Sequence, residues 1–487
     1  ISGGRKYFDG WHPTDNLIDF PKETLADTNR AIQWNPKTQY LGEIQYILNY
    51  KKWQFNPYFR YYSEKITNRG FPSKPYFESA FDDYYYTNRL DQGINISRSL
   101  EKGNFKIIGG YNYYKRIKNT YVKDLTNLEQ ILTSSASDQD TSIFDLIMLR
   151  ATYNSKLSKW YNYQIGIDIN HESAFGKKIK SNYQYNGDYA IFGTAQLSLL
   201  NKTILIKPGV RYAYNLIYNA PITPSLNVKY SIKNINIRAS VAKGFRAPTL
   251  KELFFNFVDV NHNIQGNTDL LAEKSWNYNT SVTWLKSLRK NSVFKTTATF
   301  FYNDFNNLIA LATIADGSFS YINIGKYSTI GAQSELIFRR KNIRLSVTPA
   351  YIGRENFVKS ENLGKYTYSP EISSQLAYTL LNKKWGLNLF YKYNGLQNSY
   401  NLNDDNELSI STIYAYSILD LSVNRKLFNK NMNVIIGAKN LLNVKNVPIS
   451  GTASTGIHSS GSTRSIGTGI SLFFSVQYKF QYSKDEK

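Results

Sequence analysis

The sequence predicts an all-β fold, a transmembrane antiparallel β-barrel of the outer-membrane kind, and three observations predict it. Apolar residues recur with a period of two, the beat of a strand with one apolar and one largely polar face. Connections alternate between short basic turns and long polar loops. No uninterrupted apolar run approaches the roughly 18 residues a membrane helix needs; Leu308 to Ala315, broken only by Thr313, is among the longest apolar stretches.

Residues 1–39 read as an extracellular loop region, because Gly3, Gly4, Pro13, Pro21 and Pro36 break any strand pattern. The barrel then occupies residues 40–487, starting with a strand over Tyr40 to Tyr50. Phe294, Thr296, Ala298, Phe300 and Tyr302 alternate with Lys295, Thr297, Thr299, Phe301 and Asn303. Trp385, Leu387, Leu389, Tyr391 and Tyr393 repeat the beat, as do Met432, Val434, Ile436 and Ala438. The chain closes on Ile470, Leu472, Phe474, Val476, Tyr478 and Phe480. About nineteen such segments are visible, most near the roughly 9–11 residues that cross a bilayer as a tilted strand.

Short turns fall at Lys51-Lys52, Lys102-Gly103, Lys156 to Lys159, Asn201-Lys202, Lys233-Asn234, Arg289 to Asn291, Arg340 to Asn342, Asn382 to Lys384 and Asn429 to Asn431. Between them run longer loops, roughly 63–83, 117–138, 172–184, 243–272, 304–320, 353–364, 397–411 and 441–464. In an outer-membrane barrel the long loops lie outside the cell and the short turns face the periplasm. A soluble propeller or sandwich has no need of this alternation. Strands ending in Tyr, Trp and Phe beside polar loops fit the aromatic girdles at both interfaces, which accounts for 40 Tyr and 27 Phe in 487 residues. Because a closed bacterial barrel has an even strand number, an odd count starting outside is expected to mark a chain lacking at least one strand upstream.

Zero cysteines exclude disulfide staples, Cys-ligated metal sites and a thiol nucleophile. With Lys+Arg 59 and Asp+Glu 36 the net charge is +23, yet the cations sit in turns and at inward strand positions such as Lys207, Arg211, Lys295, Lys392 and Lys439. That distribution suits a polar lumen and anionic lipid, and it argues against nucleic acid as a partner. No triad, His-rich metal spacing or phosphate loop is present, so no enzyme activity is expected.

Four stretches carry a family resemblance. They are Gly244-Phe245-Arg246-Ala247-Pro248-Thr249-Leu250-Lys251-Glu252-Leu253-Phe254; Gly266-Asn267-Thr268-Asp269-Leu270-Leu271-Ala272-Glu273-Lys274-Ser275-Trp276-Asn277; Phe301-Tyr302-Asn303-Asp304 with Tyr321-Ile322-Asn323-Ile324-Gly325-Lys326 and Gly331; and Gly437-Ala438-Lys439-Asn440-Leu441-Leu442-Asn443. In this order they resemble the C-terminal barrel of TonB-dependent outer-membrane receptors. The resemblance implies a bacterial outer-membrane location and a barrel of roughly 22 strands with a plugged lumen. No counterpart of the plug domain and its TonB box is expected within these residues.

The 243–272 loop would then be the seventh extracellular loop. Haem receptors of this family look similar: a FRAP box and an NPDL-like box flank a His. Here Phe245 to Pro248 stands for the first and Asn267 to Leu270 for the second, with His262 between them and Thr268 in place of the usual Pro. Neutral imidazole is a frequent axial ligand of haem iron, which makes His262 the candidate metal ligand; a polar loop tip is its alternative. Arg246 is a candidate for a haem propionate or for a carboxylate at the rim. Tyr84 and Tyr85, in the run Asp82 to Tyr86, are candidates for ligand stacking or for the girdle. His458 and His12 are candidate accessory ligands in their loops. Glu273, Ser275 and Asn277 share one strand face and are expected to point into the lumen.

The expected function is import of haem or another iron complex, with no intrinsic cofactor. A ferric siderophore or cobalamin receptor and a passive porin or adhesin are the alternatives. Expected partners are the TonB complex, outer-membrane lipid, the haem or iron-chelate ligand and a surface lipoprotein.

Overall fold

A computed structural model describes residues 1–11, 30, 34–135, 138–259, 262–288, 292–313, 319–355, 365–380, 384–402, 408–428, 431–450, 459–460 and 463–480. The chain divides into two compact units: Ile1–Leu197 with Lys207–Pro224 and Phe245–Ala272, and Ser198–Ile206 with Ser225–Gly244 and Glu273–Lys487. Among the described residues no helix is long and apolar enough to cross a membrane.

In the first unit each strand runs antiparallel to the one before it. Lys37–Gln45 pairs with Trp53–Pro72, followed in turn by Ser79–Leu100, Gly103–Asp124, Asp140–Ser155, Tyr161–Gly176 and Tyr183–Leu199. The register sorts residues onto two faces. Ile165, Ile167 and Ile191 share the apolar face and stay 53%, 40% and 61% exposed, as side chains meant for lipid do. On the opposite face Arg150 stands across from Asp168, which is buried and bound at 2.7 Å by Arg150 and at 2.9 Å by Arg211.

The expectation that residues 1–39 are loop needs correcting at its start. Ser2–Phe8 is a strand, paired with the next from Ser2 opposite Glu43 to Phe8 opposite Lys37. Its sequence hides it, since Gly3, Gly4, Arg5 and Lys6 supply no apolar alternation. The count of about nineteen, and the odd parity drawn from it, therefore omit a strand.

In the second unit Thr223–Ile232 pairs with Ile235–Arg246, which pairs with Glu273–Leu288. The series continues antiparallel through Ser292–Thr313, Phe319–Arg340, Ile343–Glu355, Tyr366–Thr379, Trp385–Asn394, Tyr416–Leu427, Met432–Lys439 and Ser471–Tyr478. The final strand keeps the predicted beat, with Leu472 and Phe474 on its exposed face. Lys295, expected inward, meets Glu335 at 2.9 Å. The two last long excursions are not plain loop. Gln397–Leu402, Leu408–Ile413, Asn446–Ser450, Thr463–Ser465 and Ser459–Ser460 form a separate five-stranded sheet.

The short turns are tight because their cationic residues accept left-handed backbone. Lys51, Lys233 and Lys341 have φ of 53°, 47° and 45°, the conformation that two-residue hairpin turns demand.

Candidate functional site

The excursion from Phe245 to Ala272 lies in the first unit, and its base is a closed structure. Pro248 cannot continue the preceding strand's ladder, and Thr249 takes an extended conformation that starts a helix at Leu250–Phe254. Thr249 and Glu252 form a reciprocal capping box: the Glu252 amide donates to the Thr249 hydroxyl at 3.3 Å, and the Thr249 amide donates to the Glu252 carboxylate at 2.7 Å. Arg246 donates to both oxygens of the same carboxylate, at 3.1 and 2.9 Å. One carboxylate thus ties the arginine of the first box to the first turn of the helix.

The second box is tied to the first through the backbone. The Asn267 amide donates to the Glu252 carbonyl at 2.8 Å. Gly266 packs so closely that a Cβ there would lie 2.9 Å from the backbone of Leu253 and Phe254. The Asn267 side chain accepts from the Asp269 amide at 2.9 Å, an Asx turn that closes the box with Thr268 in place of proline. Leu250, Leu253 and Leu270 are buried beneath these contacts.

Neighbouring loops hold this clasp down. Phe255 bridges Ile179, the Asn256 amide donates to the Lys178 carbonyl at 2.9 Å, and Ala174, Ile179, Leu250 and Phe255 form a small apolar core. Phe144 meets Phe255 edge-on at 5.8 Å. From the 216–222 connection the Tyr218 hydroxyl donates to the Leu270 carbonyl at 2.8 Å. Burial, with Glu252 nearby, raises the Tyr218 phenol above its usual range. Glu172 sits near the end of the strand Tyr161–Gly176, at the start of the 172–184 stretch that the sequence places outside the membrane. Burial pushes its carboxyl up, the Leu250 N–H donating to it opposes this, and Asp188 and Glu252 add to the rise.

Above the base the chain forms a hairpin of Phe257–Asp259 and His262–Gln265, with Asp259 opposite His262. The backbone of His262 therefore opens the returning strand; its side chain lies outside the described residues, as do His458 and His12. Among the described residues no group of three or more His, Asp or Glu could hold a metal ion.

Tyr84 and Tyr85 do not act together, because successive strand residues point to opposite faces. Tyr84 meets Tyr121 edge-on at 5.5 Å with the Lys65 ammonium 4.7 Å from its ring centre, an arrangement suited to a headgroup girdle. Tyr85 is buried on the other face with Arg116 4.6 Å from its ring centre. The Glu273 carboxylate accepts the Ile309 amide at 2.8 Å, and Asn277 donates to Ser275 at 3.0 Å. Sequence reasoning missed Glu172, Tyr218 and the double role of Glu252. Only Glu252 left a signal, the Thr-x-x-Glu spacing of a capping box.

Comparison with known proteins completes the picture. The chain matches the family described as TonB dependent receptor-like, beta-barrel, over residues 25–441. It is 36% identical over 91 residues to a hemoglobin and hemoglobin-haptoglobin-binding protein of Haemophilus ducreyi, a match covering 19% of this chain and 9% of that protein. In fold it is similar to the FrpB iron transporter of Neisseria meningitidis, with a TM-score of 0.67, 12% identity, and coverage of 98% of this chain and 77% of that one. The siderophore receptor PirA of Pseudomonas aeruginosa gives 0.62 at 15% identity, covering 92% and 78%. The extent of the family match settles the assignment: the chain belongs to the TonB-dependent receptors, as the β-barrel of an outer-membrane receptor.

Proposed function

We propose that this barrel belongs to a receptor that imports haem or another iron complex, captured by its outer loops and drawn inward through the TonB complex. The observation that carries the reading is the clasped base of the 245–272 excursion, which mounts a hairpin whose returning strand opens with His262. A loop on a rigid scaffold is where a large planar ligand is first met, and neutral imidazole is a natural ligand for its iron. The haemoglobin-binding name of the Haemophilus ducreyi relative supports haem over other cargo. Arg246 serves this reading through the clasp, since its guanidinium is engaged by Glu252. His458 is a secondary contact, and a surface lipoprotein is an accessory that would hand over the ligand.

Spectral titration of the full receptor with haemin tests the proposal. A shifted Soret band is expected, lost or moved in His262→Ala. An unchanged band and affinity in the variant remove His262 from the site. Growth on a ferric siderophore but not on haemin as sole iron source replaces haem as the cargo.

A further inference from the structure

The outward, apolar face of the first unit carries a cavity of about 620 Å³ that cargo import does not use. Its walls are Phe105, Ile165, Ile191 and Val210, and its floor is made by two small residues, Ala151 and Gly193. The register explains the recess. Ile165 stands opposite Gly193 and Tyr153 opposite Ile165, so two large side chains flank a position with none. Ile165, Ile191 and Val210 remain 53%, 61% and 52% exposed, so the chain itself leaves the recess open.

Toward the short turn at Lys156 to Trp160 the same face changes character. Tyr153, Tyr161 and Tyr163 form a collar, with ring centres 6.0 Å apart for Tyr153–Tyr163 and 6.3 Å for Tyr161–Tyr163, and Trp160 packs on Tyr161 at 5.7 Å. The turn below is fixed: the Tyr161 amide donates to the Ser158 hydroxyl at 2.9 Å, and the Lys156 amide to the Lys102 carbonyl at 2.7 Å. It presents Lys156 and Lys159, both exposed, beside Lys102; the acid nearest the turn in sequence is Asp168, nine positions beyond Lys159, and Glu101 adjoins Lys102. Ile165 lies four positions along the strand from Tyr161, a rise of roughly 13 Å that a tilt of roughly 45° turns into a depth of roughly 9 Å, inside one leaflet of a bilayer core roughly 30 Å thick.

We propose that this face holds one anionic diacyl phospholipid of the periplasmic leaflet, with an acyl chain in the recess and its phosphate at Lys156 and Lys159. The recess falls in the size range of small-molecule pockets and is almost wholly apolar, as an acyl chain requires. The cationic turn supplies the charge that a zwitterionic lipid would satisfy less well. The aromatic collar marks the interface between the two.

Native mass spectrometry of the detergent-purified receptor, delipidated and then given palmitoyl-oleoyl phosphatidylglycerol or phosphatidylcholine, tests the site. Retention of one phosphatidylglycerol at least tenfold better than phosphatidylcholine is expected. Lys156→Glu with Lys159→Glu should remove the preference. Gly193→Leu should remove retention itself while leaving the melting temperature in place, because a Cβ there meets only ordinary contacts at 3.8 and 3.9 Å. Equal retention of both lipids, or unchanged retention in a folded Gly193→Leu variant, overturns the proposal.

Discussion

The Asn267 amide donates to the Glu252 carbonyl at 2.8 Å, joining two segments that the sequence separates by the whole hairpin between them. The two boxes of the excursion are thus one structural unit, and the hairpin that bears His262 stands on it.

Gly266 is the closest point of that unit. A methyl group at 2.9 Å from the Leu253 carbonyl cannot be absorbed by a flexible side chain, since backbone stands in the way. Gly266→Ala should open the clasp and raise amide exchange across 250–270 by tenfold or more, with the strands unaffected. Exchange at the parental rate would show that the contact bears no load.

Thr249 and Arg246 both reach Glu252, with unequal effect. Losing the cap is expected to cost about 1 kcal/mol, and losing a 41% exposed guanidinium less than about 1 kcal/mol. Hydrogen exchange of the helix should therefore rise about fivefold in Thr249→Ala and less in Arg246→Ala. The reverse order would identify the ion pair, not the capping box, as the tie.

Acidification should tighten the clasp. The folded state holds the Glu172 carboxyl above its usual range, chiefly by burial, so it binds that proton more readily than the unfolded chain. The charge is a cost at neutral pH, relieved as pH falls through the raised value. Protection of the Leu250 amide, corrected for intrinsic exchange, should be greater at the acidic end of a pH series than at its neutral end. In Glu172→Gln it should be high at both. A variant that keeps the wild-type pH dependence would place its origin elsewhere.

On the polar strand face, Asp168 is buried between Arg150 and Arg211. Asp168→Asn keeps the shape but removes the charge shared by two guanidinium groups, and should lower unfolding stability by about 2 kcal/mol in urea titrations of the folded barrel. Replacing all three by apolar residues of similar size should cost less than this single change. Equal stability of Asp168→Asn and the parent would count against the network.

The strands were legible because the pleat writes its period directly into the chain, as Leu472, Phe474 and Val476 illustrate. Ser2–Phe8 was not, since a strand built on Gly3, Gly4, Arg5 and Lys6 displays no apolar face. The 216–222 connection escaped notice for the opposite reason: Leu216, Ile217, Tyr218 and Ile222 make a short, apolar loop that reads as strand. Its contact from Tyr218 to Leu270 spans 52 positions, and no local pattern encodes such a pairing. The motif boxes were readable as words, but the sequence does not show that they bind each other.

A hairpin whose feet are stapled can be rewritten without disturbing what it stands on. The Gly266 amide donates to the Asn256 side chain at 3.3 Å, so both ends of the 257–265 segment leave the base at one fixed point. Lengthening a connection whose ends are already held adds little closure entropy. An epitope or reporter grafted there at a position that spares His262 should be displayed by living cells, while the barrel wall stays constant.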